Sequence, residues 1–159
     1  MKKIFSTKAM LIVLFGIVLS NCNDSNVDEP PFDINENLAC YNKTEWDSQL
    51  IKNKLIGTWN WVYTQSYSSP DNGINTEPSN INIRFDNDSI LTFIENEKTK
   101  FTTRWNVVSK ENSYFEIDTD STINHIFGRI IICDDHLLFN GSYIDLSDNY
   151  FNKIKIGIQ

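Results

Sequence analysis

The chain has 159 residues, 40% of them hydrophobic, and a formal charge of −7 from 14 basic and 21 acidic side chains. That length suits one domain with a single core. The acidic balance, without clustered Lys or Arg, argues against a nucleic-acid-binding protein and against adsorption onto anionic lipid headgroups.

Lys2, Lys3 and Lys8 form a positive N-terminal region, and Ala9 to Leu19 follows without a charge. As a helix this apolar run spans roughly 16 Å, against a bilayer core of about 30 Å. It therefore reads as the apolar region of a secretory signal peptide and not as a membrane span. The next residues, Leu19-Ser20-Asn21-Cys22, are similar to the bacterial lipobox. The resemblance implies diacylglyceryl transfer to the Cys22 thiol, cleavage before it, and acylation of the new amino end. Residues 1–21 are then a signal peptide, 22–39 a lipidated acidic tether, and 40–159 the folded domain. Two or three acyl chains, at about 0.8 kcal/mol per buried methylene, would hold such a protein firmly to a membrane. The expected location is the cell envelope, at the outer membrane, on its periplasmic or surface face.

The tether, Asn23 to Leu38, carries Asp24, Asp28, Glu29, Asp33 and Glu36, no basic residue, and the pair Pro30-Pro31. One sign of charge and few apolar residues leave it without a core of its own. With Cys22 lipidated, Cys40 and Cys133 remain. An even count in an oxidising compartment fits one disulfide, the alternative being two buried thiols. No Cys-x-x-Cys or His/Cys spacing suggests a zinc site.

Thr44 to Leu55 is the one good helix candidate. Thr44 with Asp47 three residues on makes a capping pattern, and Trp46, Leu50 and Ile51 share a face. Strand signals then fill the rest of the chain. Ile56 to Tyr67 is long and aromatic. Asn80 to Asp86 alternates through Ile81, Ile83 and Phe85. Ser89 to Glu95, Thr99 to Val108, Ser113 to Asp118, Ile123 to Cys133, His136 to Asn140 and Tyr150 to Ile156 follow, most of them separated by short polar turns. Short connections favour sequential antiparallel neighbours. The expected fold is all-β: an eight-stranded antiparallel up-and-down β-barrel with one short N-terminal helix.

Gly57-Thr58-Trp59 opens the first strand directly after the helix. This resembles the Gly-x-Trp signature of lipocalins. More closely, residues 55–156 resemble the short lipocalin-like domains of Bacteroidetes lipoproteins, in the run Leu55-Ile56-Gly57-Thr58-Trp59, the alternating Ile81 to Phe85, the polar turn Asp86 to Asp88, and Trp105. The resemblance implies that Trp59 packs at the closed end of the barrel under a basic side chain from late in the chain. The candidates are Arg129, Lys153 and Lys155.

Strand parity places Trp61, Tyr63, Phe85, Phe93, Trp105 and Phe115 in the barrel interior as candidate ligand-binding residues. An apolar cavity of this kind suits a small hydrophobic ligand. The long loop Ser66 to Ser79 is either a lid over the mouth or a slack turn. No catalytic group is expected. His125 and His136 have no recognisable partners, Ser142 lacks the strand–turn–helix context of a nucleophile, and Asp86, Asp88, Asp118 and Asp120 read as turn residues rather than calcium ligands. The expected protein is a monomeric, non-enzymatic, membrane-anchored lipoprotein without cofactor or metal that binds a small hydrophobic ligand. The alternative is an interaction module whose solid barrel binds a protein or glycan.

Overall fold

The computed structural model describes residues 33–66, 74–75, 80–111, 114–144 and 146–155. The signal peptide, Cys22, most of the tether and nearly all of the Ser66–Ser79 loop lie outside the described residues. None of the described helices is long and apolar enough to cross a membrane.

Two helices, not one, precede the strands. Helix α1 (Ile34–Tyr41) is capped by Asp33, whose carboxylate accepts from the Asn35 N–H at 2.7 Å. It shortens the expected tether, whose end at residue 39 falls inside the helix. The acidic spacer gives way here to Ile34, Leu38 and Tyr41, which fall on one helical face and pack on the sheet. Helix α2 (Ser48–Leu55) is the expected helix, but it begins four residues later than Thr44. Asp47 caps it, accepting from the Leu50 N–H at 2.7 Å. Before it, the Trp46 indole donates to the Tyr41 carbonyl at 2.7 Å and stacks on the Tyr41 ring. That contact holds the link between the helices as a tight turn.

The strands are β1 (Gly57–Gln65), β2 (Ile74–Asn75), β3 (Ile81–Phe85), β4 (Ile90–Glu95), β5 (Lys98–Lys110), β6 (Tyr114–Thr119), β7 (Arg129–Cys133), β8 (His136–Asn140) and β9 (Asp148–Lys153). The two-residue β2 pairs only with the end of β1. The other eight run in the order β6-β5-β4-β3-β1-β9-β8-β7, each antiparallel to its neighbours. The outermost strands, β6 and β7, come back into contact. The result is a nearly closed up-and-down barrel, and all eight expected strands are in it.

Two of those strands differ in extent. The strand expected from Ile123 begins at Arg129, because a 3₁₀ turn at Asn124–Ile126 comes first. Gly128 makes the bend between them at φ +100°, and a Cβ there would lie 2.2 Å from the Asn140 carbonyl oxygen. The last strand starts at Asp148, two residues early. At the β4–β5 hairpin, Asn96 and Glu97 both hold positive φ, 51° and 62°, as a two-residue primed turn requires. Glu97 has a Cβ that disfavours this conformation. Glu97→Gly is therefore expected to raise stability by about 1 kcal/mol in urea unfolding; a lowered midpoint would contradict this reading of the turn.

The apolar residues divide between the two faces of the curved sheet. Trp59, Trp61, Ile83, Phe85, Leu91, Trp105, Ile130, Ile132, Leu137, Phe139 and Phe151 fill the interior with Ile51 and Leu55 of α2. Tyr63, Ile131, Leu138 and Tyr150 form a second cluster under α1. This explains the unbroken runs Ile130-Ile131-Ile132 and Leu137-Leu138-Phe139: β7 and β8 are buried on both faces. The Cys40–Cys133 disulfide joins the last turn of α1 to the end of β7, with Cα atoms 5.7 Å apart.

Candidate functional site

The end of the barrel beside α2 is closed by side chains from distant parts of the chain. Trp59 is fully buried, and its indole N–H donates to the Leu55 carbonyl at 2.7 Å. Of the three basic residues expected to cross this ring, Lys153 does so. Its ammonium lies 4.9 Å from the ring centroid and donates to the Lys54 carbonyl at 2.9 Å. The β1–β9 register sets Lys153 directly opposite Trp59. Gly57 makes room: it holds φ +125°, and a Cβ there would come within 3.1 Å of Lys153 Cε. Burial pushes the Lys153 ammonium below its ordinary pKa, with Asp135 opposing that shift. Arg129 instead donates to Asn140, and Lys155 pairs with Asp135 at 2.5 Å.

Five of the six candidate ligand-binding residues belong to the interior. Trp61, Phe85 and Trp105 are buried in the core, and Phe93 and Phe115 are partly buried against it. Phe85 and Trp105 meet edge to face, with centroids 4.8 Å apart. Tyr63 is not among them, and the parity expectation fails there. Trp61 pairs with Phe151 but Tyr63 with Tyr150, so β1 carries one extra residue at this point. The bulge turns Tyr63 to the outer face, where it stacks on Tyr150 at 4.1 Å beneath α1.

The far end of the interior is lined differently. Trp61 lies midway along β1 and Phe93 in the second half of β4. Phe101 pairs across from Phe93 and stacks on it at 5.3 Å, remaining 37% exposed. His125, from the 3₁₀ turn, meets the edge of Trp61 and the ring of Phe93, each with centroids 5.9 Å apart. The barrel thus ends in an aromatic group capped by an imidazole, with Glu95 and its partner Lys100 at the rim. Phe101 and His125 were not legible as site residues, because only the β4–β5 register and the 120–128 connection bring them here.

Comparison with protein-family models, curated proteins and solved structures finds no match to this chain. The geometry of the site is therefore the basis for reading it. Burial lowers the His125 pKa below 6.5, and the Glu95 carboxylate partly offsets this. The unfolded chain then takes up the proton more readily than the folded one. Stability from the neutral imidazole is fully present above about pH 6.5 and is lost as the pH falls below it. The fall in urea midpoint between pH 7.5 and 5 should shrink in His125→Gln; an identical fall in both proteins would place the imidazole outside the aromatic group.

Several other polar groups hold neighbouring strands and loops together. His136 Nδ1 bonds to Asn152 Oδ1 at 2.8 Å. Asp148 is completely buried and accepts from Asn140 Nδ2 and the Ser142 N–H, each at 2.9 Å, and from Ser142 Oγ at 3.2 Å. This network pins the β8–β9 loop and occupies Ser142. Cys40, Cys133 and Asp134 lie close together, but the disulfide leaves no thiolate there for a metal.

Proposed function

We propose that the protein is a lipocalin-like lipoprotein of the cell envelope, anchored to the outer membrane through Cys22, which binds a small hydrophobic ligand and catalyses no reaction. The observation that carries the binding role is the aromatic group Trp61, Phe93 and Phe101 at the barrel end away from α2, where Phe93 and Phe101 are still partly open to solvent. A wall of aromatic side chains favours apolar or aromatic ligands. The barrel order, the Gly57 and Trp59 pair, and Lys153 across the Trp59 ring all support the lipocalin-like assignment. The lipobox resemblance of Leu19 to Cys22 supports the anchor.

Two experiments test this reading. Cys22→Ala is expected to abolish palmitate labelling and to release the protein from the membrane fraction; labelling that persists would refute the anchor. Solvent extraction of the purified protein followed by mass spectrometry should return one stoichiometric hydrophobic compound. A second reading, an interaction module with a solid barrel that binds protein or glycan, is favoured by the dense interior, where Trp59, Phe139 and Phe151 are 0% exposed. Repeated empty extracts would favour that module over the ligand carrier.

A further inference from the structure

His125 brings a polar group to the aromatic end of the barrel, and its hydrogen-bonding capacity is unused. Its ring meets Trp61 and Phe93, and neither ring nitrogen bonds to a described residue. His136, by contrast, is held by Asn152 at 2.8 Å. The His125 nitrogens are not sealed away either. The residue is half-buried, and the buried side-chain polar atoms without a partner among the described residues are Asn82 Oδ1 and Trp105 Nε1. Phe101, stacked on Phe93 at 5.3 Å, continues the apolar wall to the surface. The row Phe101, Phe93 and His125 thus offers apolar contact at one end and an open imidazole at the other. An apolar wall with one placed polar group fixes both the position and the orientation of a small ligand.

The chemistry of that group narrows the ligand. Burial disfavours the imidazolium, with Glu95 partly opposing this, so the ring is neutral at neutral pH. One nitrogen then carries a proton and the other is bare, and the ring can both donate and accept. A hydroxyl group has the same double capacity. The neighbouring β4–β5 hairpin carries Glu95, Glu97, Lys98 and Lys100, two charges of each sign, and Glu95 pairs with Lys100 at 2.7 Å. The hairpin therefore supplies no net charge to an ionised ligand, which would also lose hydration among the aromatic rings.

We propose that the aromatic end of the barrel takes a neutral hydroxylated aromatic compound, its ring against Phe93 and Phe101 and its hydroxyl hydrogen-bonded to the His125 imidazole. The proposal rests on the ligand-binding reading above and adds the chemical class of the ligand.

The test uses the full chain carrying Cys22→Ala and four probes built on one ring system: 2-naphthol, naphthalene, 2-naphthoate and 2-naphthylmethylammonium. Affinities are read by equilibrium dialysis at neutral pH. 2-Naphthol should bind at least as tightly as naphthalene and about fivefold tighter than either ionised probe. His125→Phe keeps a ring over Trp61 and removes the hydrogen bond. It should weaken 2-naphthol by about fivefold and leave naphthalene within about twofold. Phe101→Ala, a change at a position open to solvent, should weaken both. In the unaltered ring, the His125 nitrogen resonances should shift on adding 2-naphthol and stay in place with naphthalene. Tighter binding of an ionised probe, or equal loss of 2-naphthol and naphthalene in His125→Phe, would overturn the proposed class. If naphthalene still bound in a Phe101-dependent way, ligand binding at this end would stand. If none of the four probes bound, the ligand reading and the hydroxyl class would fall together.

Discussion

Replacing Cys40 and Cys133 together by alanine is expected to lower the unfolding free energy by about 4–5 kcal/mol, the chain-entropy value for a loop of this length. The bond joins residues 93 apart in sequence, so it removes much of the unfolded chain's freedom. Its position adds a local effect. Helix α1 is only eight residues long, too short to persist alone. It is held by Ile34, Leu38 and Tyr41 on the outer cluster and by this one covalent tie. Without the tie, α1 opens more readily and uncovers Tyr63, Ile131, Leu138 and Tyr150. The melting temperature should fall on the order of 15 °C. Thiol reductant should lower the melting temperature of the unaltered protein similarly and leave the double variant unchanged. An unaltered melting temperature in the variant would mean that the two cysteines do not pair.

Trp59→Ala should cost about 3–5 kcal/mol, the range for deleting a buried aromatic side chain. Trp59 is completely buried. It also closes the barrel by three separate contacts: its ring packs in the core, its N–H holds the last turn of α2, and its face lies under Lys153. Lys153→Met keeps most of the aliphatic cover while removing the ammonium. Its cost should be smaller, about 1 kcal/mol, from the lost cation–π contact and the bond to the Lys54 carbonyl. The two substitutions share partners, so their effects should not add. A double-mutant cycle in urea that gave strictly additive costs would show that Lys153 and Trp59 do not interact in solution.

Much of the fold was legible because its signals are local. Alternation marked Ile81, Ile83 and Phe85 as one buried face, and polar pairs such as Asn96-Glu97 and Asp134-Asp135 marked turns. Parity then placed Trp61, Phe85, Phe93, Trp105 and Phe115 correctly with the core. It failed at Tyr63 because a single extra residue in β1 reverses the face of everything beyond it. Nothing in Trp61-Val62-Tyr63 announces that bulge, which exists only against β9. Helix α1 was missed for a related reason. Its sequence is short and follows an acidic run, and it packs its apolar face on the sheet beneath.

Residue order alone was enough to set the number of barrel strands and their antiparallel succession. These depend on spacing between near neighbours and on backbone rules that hold in any context. Pairing between distant segments was decided only in three dimensions. The β1–β9 register selected Lys153 over Arg129 and Lys155, and the 120–128 connection delivered His125 to the aromatic end. Barrel closure, too, is a matter of how β6 and β7, the two ends of the strand order, come back into contact. Such choices rest on the summed packing of many side chains, a quantity that no short stretch of sequence contains.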